Sequence, residues 1–204
     1  MCSICGRPTK DGLCNKCKLL LDRQAILGID DYYLNNEKEF DEHMYLYAYD
    51  SIIRKLILKY KFQEKSYLYK IFVKNLKNNK KTYLFLKKYD IIIPVPISKK
   101  RLKERGYNQS SLLSKEISKD FNIEYNDKCL LKHKHTESQS SLNKELRTKN
   151  VEDVYSVKNQ EKIINKKILL VDDIYTTGST VNECSKVLRQ AGAENIGILT
   201  IAKD

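Results

Sequence analysis

The segment from Lys167 to Ala191 constrains this chain more than any other, because a buried strand, a hydroxyl-rich turn and a helix follow one another directly. Four apolar residues, Ile168 to Val171, form a run of the kind found in strands covered on both faces. The run stops at two adjacent carboxylates, Asp172 and Asp173, and a loop follows, Thr176-Thr177-Gly178-Ser179-Thr180. Val181, Cys184, Leu188 and Ala191 then recur at helical spacing, and Gly192 suits a helix C-terminus. A parallel strand leading through such a loop into a helix predicts an open α/β sheet that binds its ligand at the carboxyl ends of the strands.

The residue types indicate what that ligand carries. Loop N–H groups, threonine hydroxyls and the positive helix end attract phosphate, and Gly178 lets the backbone approach it. Two carboxylates beside a phosphate must face hydrogen-bond donors. Ribose hydroxyls are such donors, and a magnesium ion adds contact through water. Two other readings fit parts of the segment: the acidic pair of a phospho-acceptor domain, and an ordinary helix N-cap. The first would place its acidic pair near the start of the domain, and no GxxxxGK[ST] is present.

The stretch VDDIYTTGST resembles the phosphoribosyl-pyrophosphate (PRPP) signature of type I phosphoribosyltransferases. That resemblance implies that Asp172 and Asp173 hold the ribose 2′- and 3′-hydroxyls. It also implies that Thr176, Thr177, Gly178, Ser179 and Thr180 cradle the 5-phosphate, with Mg2+ accompanying PRPP.

Residues 1–25 stand apart. Cys2-x-x-Cys5 and Cys14-x-x-Cys17 are separated by eight residues, and four thiolates so paired suit a structural zinc ion. Two disulfides, or a redox CxxC, are the competing readings; a reducing compartment disfavours the first and the lack of a surrounding βαβ pattern the second. Cys129 and Cys184 read as core residues. His43, His133 and His135 show no ligand spacing, and surface or loop positions suffice for them. No apolar run reaches membrane-spanning length and no secretory signal is visible, so a cytoplasmic protein is expected.

Lysine and arginine exceed aspartate and glutamate by 38 to 26, a net charge of +12 that favours polyanions such as nucleic acid. Residues 26–44, polar with acidic patches, read as a connector. A strand is expected near Met44, and helices over Ile52 to Tyr60 and Ser66 to Leu76. Six lysines interleave with Asn, Tyr and Phe from Lys74 to Lys88, which fits either a solvated face and loop or a single-strand-binding surface. Asp90 to Pro96 reads as a buried strand, with an amphipathic helix expected over Leu112, Leu113, Ile117 and Phe121. Between them five basic residues and a glycine occupy Ser98 to Gln109. Arg101 and Arg105 there could bind pyrophosphate bidentately.

PVP followed by RGYNQ resembles the ComF family of competence proteins, as do Thr136, Gln139, Leu142, Arg147 and Asn150 and the amino-terminal cysteine pairs. Lys132 and Lys134 depart from that pattern, standing where arginines are common; lysine keeps the charge but not the planar fork. The expected fold is α/β, a type I phosphoribosyltransferase-like, mostly parallel sheet flanked by helices, behind a small four-cysteine zinc finger. Its divisions are 1–25 finger, 26–44 connector and 45–204 phosphoribosyltransferase-like domain. The resemblance implies a role in natural transformation, handling imported single-stranded DNA alongside a DNA translocase helicase and other DNA-uptake proteins, in the cytoplasm and, through those partners, at the inner face of the membrane. Two molecular functions stay open. One is an enzyme in which Asp172, Asp173, Arg101 and Arg105 serve transfer of ribose phosphate to an unidentified acceptor; the other is a PRPP-binding protein whose working surface is a DNA-binding face.

Overall fold

The computed structural model describes residues 1–35, 37–62, 65–133 and 154–204. Its main sheet is built from β1 (Gly28–Asp31), β2 (Glu42–Ala48), β3 (Ile91–Pro94), β4 (Glu124–Tyr125), β7 (Lys167–Tyr175) and β8 (Asn195–Lys203) in the order β1-β2-β8-β7-β3-β4. Only β1 and β2 pair antiparallel; the other neighbours are parallel. A separate antiparallel ladder joins β5 (Leu130–Lys132) to β6 (Tyr155–Val157). The helices are α1 (Asn15–Gln24), α2 (Ser51–Phe62), α3 (Leu68–Lys77), α4 (Lys80–Leu86), α5 (Lys99–Arg105), α6 (Gln109–Phe121) and α7 (Ser179–Gln190).

The apolar run in β7 explains the two-sided core. Successive strand side chains point to opposite faces. Ile168 and Leu170 therefore pack with Val181, Cys184 and Leu188 of α7, whereas Leu169 and Val171 pack with Leu113 and Ile117 of α6 and with α2 and α3. The strand does not end in the two carboxylates as expected: it continues past Asp172 and Asp173 to Tyr175, because β8 supplies a parallel partner that far.

Residues 26–44, read as connector, contain β1 and the start of β2. The acidic patch misled that reading, since its carboxylates bond inward. Asp41 meets Arg189 Nη2 at 2.5 Å and the Ile196 N–H at 2.7 Å. Glu42 is buried and takes Lys88 Nζ and the Tyr89 hydroxyl, each at 2.7 Å. The lysine-rich stretch has all six lysines exposed, as a solvated face requires, but on the ends of α3 and around α4 rather than on a loop alone. Thr82, Phe85 and Leu86 bury the other side of α4.

The cysteine segment is not a detached bead. Cys2, Leu13, Cys17 and Leu21 belong to one apolar cluster with Leu56, Tyr60 and Leu68. No helix among the described residues is long and apolar enough to cross a membrane.

Candidate functional site

β7 carries Asp172 and Asp173 to the carboxyl end of the sheet, beside β8. Asp172 Oδ1 accepts the Ser110 hydroxyl at 3.0 Å and the Asp173 N–H at 2.8 Å. Asp173 is 6% exposed, and its Oδ1 meets Lys61 Nζ at 2.8 Å. Burial, and then the neighbouring Asp173 charge, push the Asp172 carboxyl up to about 7; Lys61 and the two hydrogen bonds act against them. Among the described residues, no hydrogen bond reaches the second oxygen of either carboxylate. Each acid is thus anchored by one oxygen and offers the other.

The loop turns at Gly178, whose φ of 76° lies in the left-handed region and where a Cβ would run into the Tyr175 hydroxyl. Glycine is needed there on both counts. The Thr177 and Ser179 hydroxyls bond each other at 2.8 Å, and α7 begins at Ser179. Asp172, Thr176, Thr177, Gly178, Ser179 and Thr180 line one cleft of about 40 Å³. The hydroxyls and the N-terminal N–H groups of α7 can donate to a phosphate, while the free carboxylate oxygens accept from hydroxyls.

The basic stretch folds into α5. Ser98 caps its start by accepting the Arg101 N–H at 3.3 Å, and Gly106, at φ 77°, ends it. Arg105 donates to Gln109 Oε1 at 3.1 Å and lies 4.7 Å from the Phe62 ring centroid. Burial lowers its pKa, and the Asp173 charge opposes that. Arg101 is exposed on the same helix, and its charge bears on Lys132 and Tyr155. Lys132 donates to the Tyr155 hydroxyl at 2.9 Å, and burial lowers its pKa below the usual lysine value. Arg105 therefore lies within electrostatic reach of Asp173, while Arg101 is set against Lys132 and Tyr155. Lys134, His135, Thr136, Gln139, Leu142, Arg147 and Asn150 lie outside the described residues.

At the amino-terminal end, the sulfurs of Cys2, Cys5, Cys14 and Cys17 all lie within 4.8 Å of one another, and those of Cys5 and Cys14 are 3.7 Å apart. A tetrahedron with metal–sulfur bonds of about 2.3 Å has edges of about 3.8 Å, so the cluster fits a metal ion. Against the effect of burial, the backbone groups of Cys5, Cys14 and Ile4 draw the Cys2 thiol down to about 6. Burial and the sulfurs around it push Cys17 up to about 12. Crowding four sulfurs this closely favours a cation that displaces their protons.

Cys129 and Cys184 are buried in the core as expected. His43, expected on the surface, is buried on β2: its Nε2 lies 2.9 Å from Thr200 Oγ1 and its ring stacks on Tyr175 at 4.5 Å. Burial lowers its pKa to about 3. Sequence reasoning missed Lys61 and Ser110. Lys61 sits in a lysine-rich helix where nothing distinguishes it from its solvated neighbours, and Ser110 falls inside an ordinary helical turn.

The fold and the strand–loop–helix site define a class, and comparison agrees: the phosphoribosyl transferase domain family matches residues 108–204. Competence protein F of Haemophilus influenzae is 31% identical over 95% of this chain and 91% of its own length. Competence protein ComFC of Streptococcus pneumoniae is 32% identical over 79% of this chain and 68% of its own. The chain belongs to the ComF family of competence proteins, with a type I phosphoribosyltransferase-like domain. Among solved structures, a purine phosphoribosyltransferase from Pyrococcus horikoshii aligns with a TM-score of 0.42 at 14% identity, over 68% of this chain and 85% of that one.

Proposed function

We propose that this chain binds PRPP with Mg2+ at the end of β7, holds a structural zinc ion in its four cysteines, and acts in natural transformation on incoming single-stranded DNA. The observation that carries the reading is one cleft joining a carboxylate to a hydroxyl-rich helix N-terminus. Asp172 and Asp173 accept the ribose hydroxyls through their unengaged oxygens. Thr176, Thr177, Gly178, Ser179 and Thr180 take the 5-phosphate, and Arg101 and Arg105 face the pyrophosphate. Mg2+, when bound, neutralises the pyrophosphate. Zn2+ suits Cys2, Cys5, Cys14 and Cys17 because soft thiolates in a tetrahedron prefer it. The DNA reading rests on the +12 charge, the exposed lysines around α4 and the names of the relatives. A cytoplasmic site of action, with a translocase helicase and other uptake proteins as partners, follows from that role.

A second reading, transfer of the ribose phosphate to an acceptor, is favoured by a groove of about 740 Å³ lined by Asn108, Tyr107, Tyr125, Asp127 and Lys132. Lys132, on the wall of that groove, also feels the Asp172 charge.

Titration of PRPP, with Mg2+ present, against the Asp172→Asn/Asp173→Asn protein tests the first reading. Loss of two charged acceptors should weaken PRPP roughly a hundredfold or more. Unchanged or tighter binding would mean a nonspecific anion site, from which removing negative charge only helps.

A further inference from the structure

α2 is held at both ends. At its start, Asp50 Oδ1 accepts the Ile52 and Ile53 N–H groups at 2.9 and 2.8 Å, while Asp50 Oδ2 accepts Gln24 Nε2, the last residue of α1, at 2.8 Å. Along its length, Lys55 Nζ reaches the Ile4 carbonyl at 3.3 Å and Lys59 Nζ the Ser3 carbonyl at 2.8 Å. Ser3 and Ile4 are the two residues between Cys2 and Cys5, so α2 grips the backbone of the first metal-binding turn. At its end, the Tyr60 hydroxyl donates to the Gln109 carbonyl at 2.7 Å, Tyr107 donates to the Tyr60 carbonyl, and Lys61 closes on Asp173 at 2.8 Å. The spacing is short: the lysine that reads the cysteine turn and the lysine that anchors the acid are two residues apart on one helix.

From this juxtaposition we infer that Lys61 is a positioning residue for the sugar-binding acids, and that α2, through Lys59, ties its placement to the four-cysteine knuckle. The inference rests on the PRPP reading above. Lys61 engages one oxygen of Asp173 and leaves the other without a hydrogen bond among the described residues, as Ser110 does for Asp172. Its charge also offsets two adjacent carboxylates that would otherwise repel each other and the phosphates of the ligand. Among the described residues, the Lys59 ammonium bonds the Ser3 carbonyl, and its helix runs on to the site. The link is therefore a contiguous chain: cysteine turn, Ser3 carbonyl, Lys59, two residues of helix backbone, Lys61, Asp173. The knuckle, on this view, is a splint for the ligand site.

Calorimetric titration of PRPP with Mg2+ into wild-type, Lys59→Met, Lys61→Met and doubly substituted protein tests it, with bound metal measured in each. Lys166→Met, at the amino end of β7, controls for loss of one positive charge. Lys61→Met should weaken PRPP about tenfold or more, and Lys61→Arg should restore most of it. Lys59→Met should weaken it severalfold with metal content unchanged, and should add nothing further in the Lys61→Met background, because both act through one contact. Additive effects, a silent Lys61→Met, or equal loss in Lys166→Met would each overturn the inference. A wild-type protein that does not bind PRPP would overturn the underlying reading instead, and the inference with it. Should Lys61→Met fail to fold, hydrogen exchange on the wild-type protein decides: PRPP should slow exchange in residues 2–5 and 51–62, by the reciprocity of linked sites. Protection confined to residues 105–110 and 172–180 would overturn it.

Discussion

Asp172→Asn should make the protein more stable and less able to bind PRPP, and the stability gain should depend on pH. Asp172 shares its end of β7 with Asp173, and burial and that neighbour raise its carboxyl from the ordinary 3.8 to about 7. A group raised in the folded state stabilises fully below its unfolded value and loses that contribution as pH rises through the folded one. The wild-type protein therefore weakens between about pH 4 and pH 7, while the asparagine variant does not. The span from 3.8 to about 7 corresponds to about 4 kcal/mol as an upper bound. Asp172 keeps some contact with water, which screens the charge, so about 1–2 kcal/mol is the expected gain. Asparagine keeps an oxygen for Ser110 and for the Asp173 N–H, so no bond to Oδ1 need be lost. Thermal unfolding at several pH values reads this out: Tm should rise by several degrees at pH 8, and the difference should shrink towards pH 4. PRPP affinity should fall at least about tenfold in the variant, and in the wild type should rise as pH passes upward through about 7. A variant that unfolds earlier than wild type at pH 8, or a difference flat with pH, would refute the reasoning.

Purified, reduced protein should carry about one zinc per chain, by elemental analysis, and Cys14→Ser should lose it. Because Cys2, Cys17 and Leu21 share a cluster with α2 and α3, that loss should lower the Tm of the whole fold rather than fray residues 1–25 alone. Single-stranded oligonucleotides should bind with little sequence preference and with an affinity that drops steeply as salt rises, measured by anisotropy. A flat salt response would remove the electrostatic account.

What was legible in the sequence was whatever alternates or repeats. Ile168 to Val171 revealed a two-sided strand, Val181 to Leu188 a helix face, and the paired CxxC a tetrahedral cluster. The loop of residues 176–180 and the two aspartates came out together because they are adjacent in the chain. What was missed depends on contacts across sequence distance. Asp41 and Glu42 look like solvent-facing charges until Arg189, Lys88 and Tyr89 arrive from elsewhere. Lys61 meets Asp173 across more than a hundred residues, and no local pattern marks one lysine of α2 as paired with an acid. His43 went the same way, since its partners Thr200 and Tyr175 belong to β8 and β7.

The position of β8 bears on how the molecule is made. β8 follows every other strand in sequence yet lies between β2 and β7. On a ribosome, β1 and β2 emerge early and then wait, with the edge of β2 that β8 will cover left bare. β7, already paired with β3, shows its own bare edge until residues 195–203 leave the exit tunnel. Until then the nascent chain is two half-sheets with complementary sticky edges, the state in which strands of separate chains most readily join. The final insertion closes both edges at once and brings Thr200 and Ala202 alongside Asp172 and Ile174. β8 is thus the keystone, and a chain cut before residue 195 would hold its sheet in two pieces.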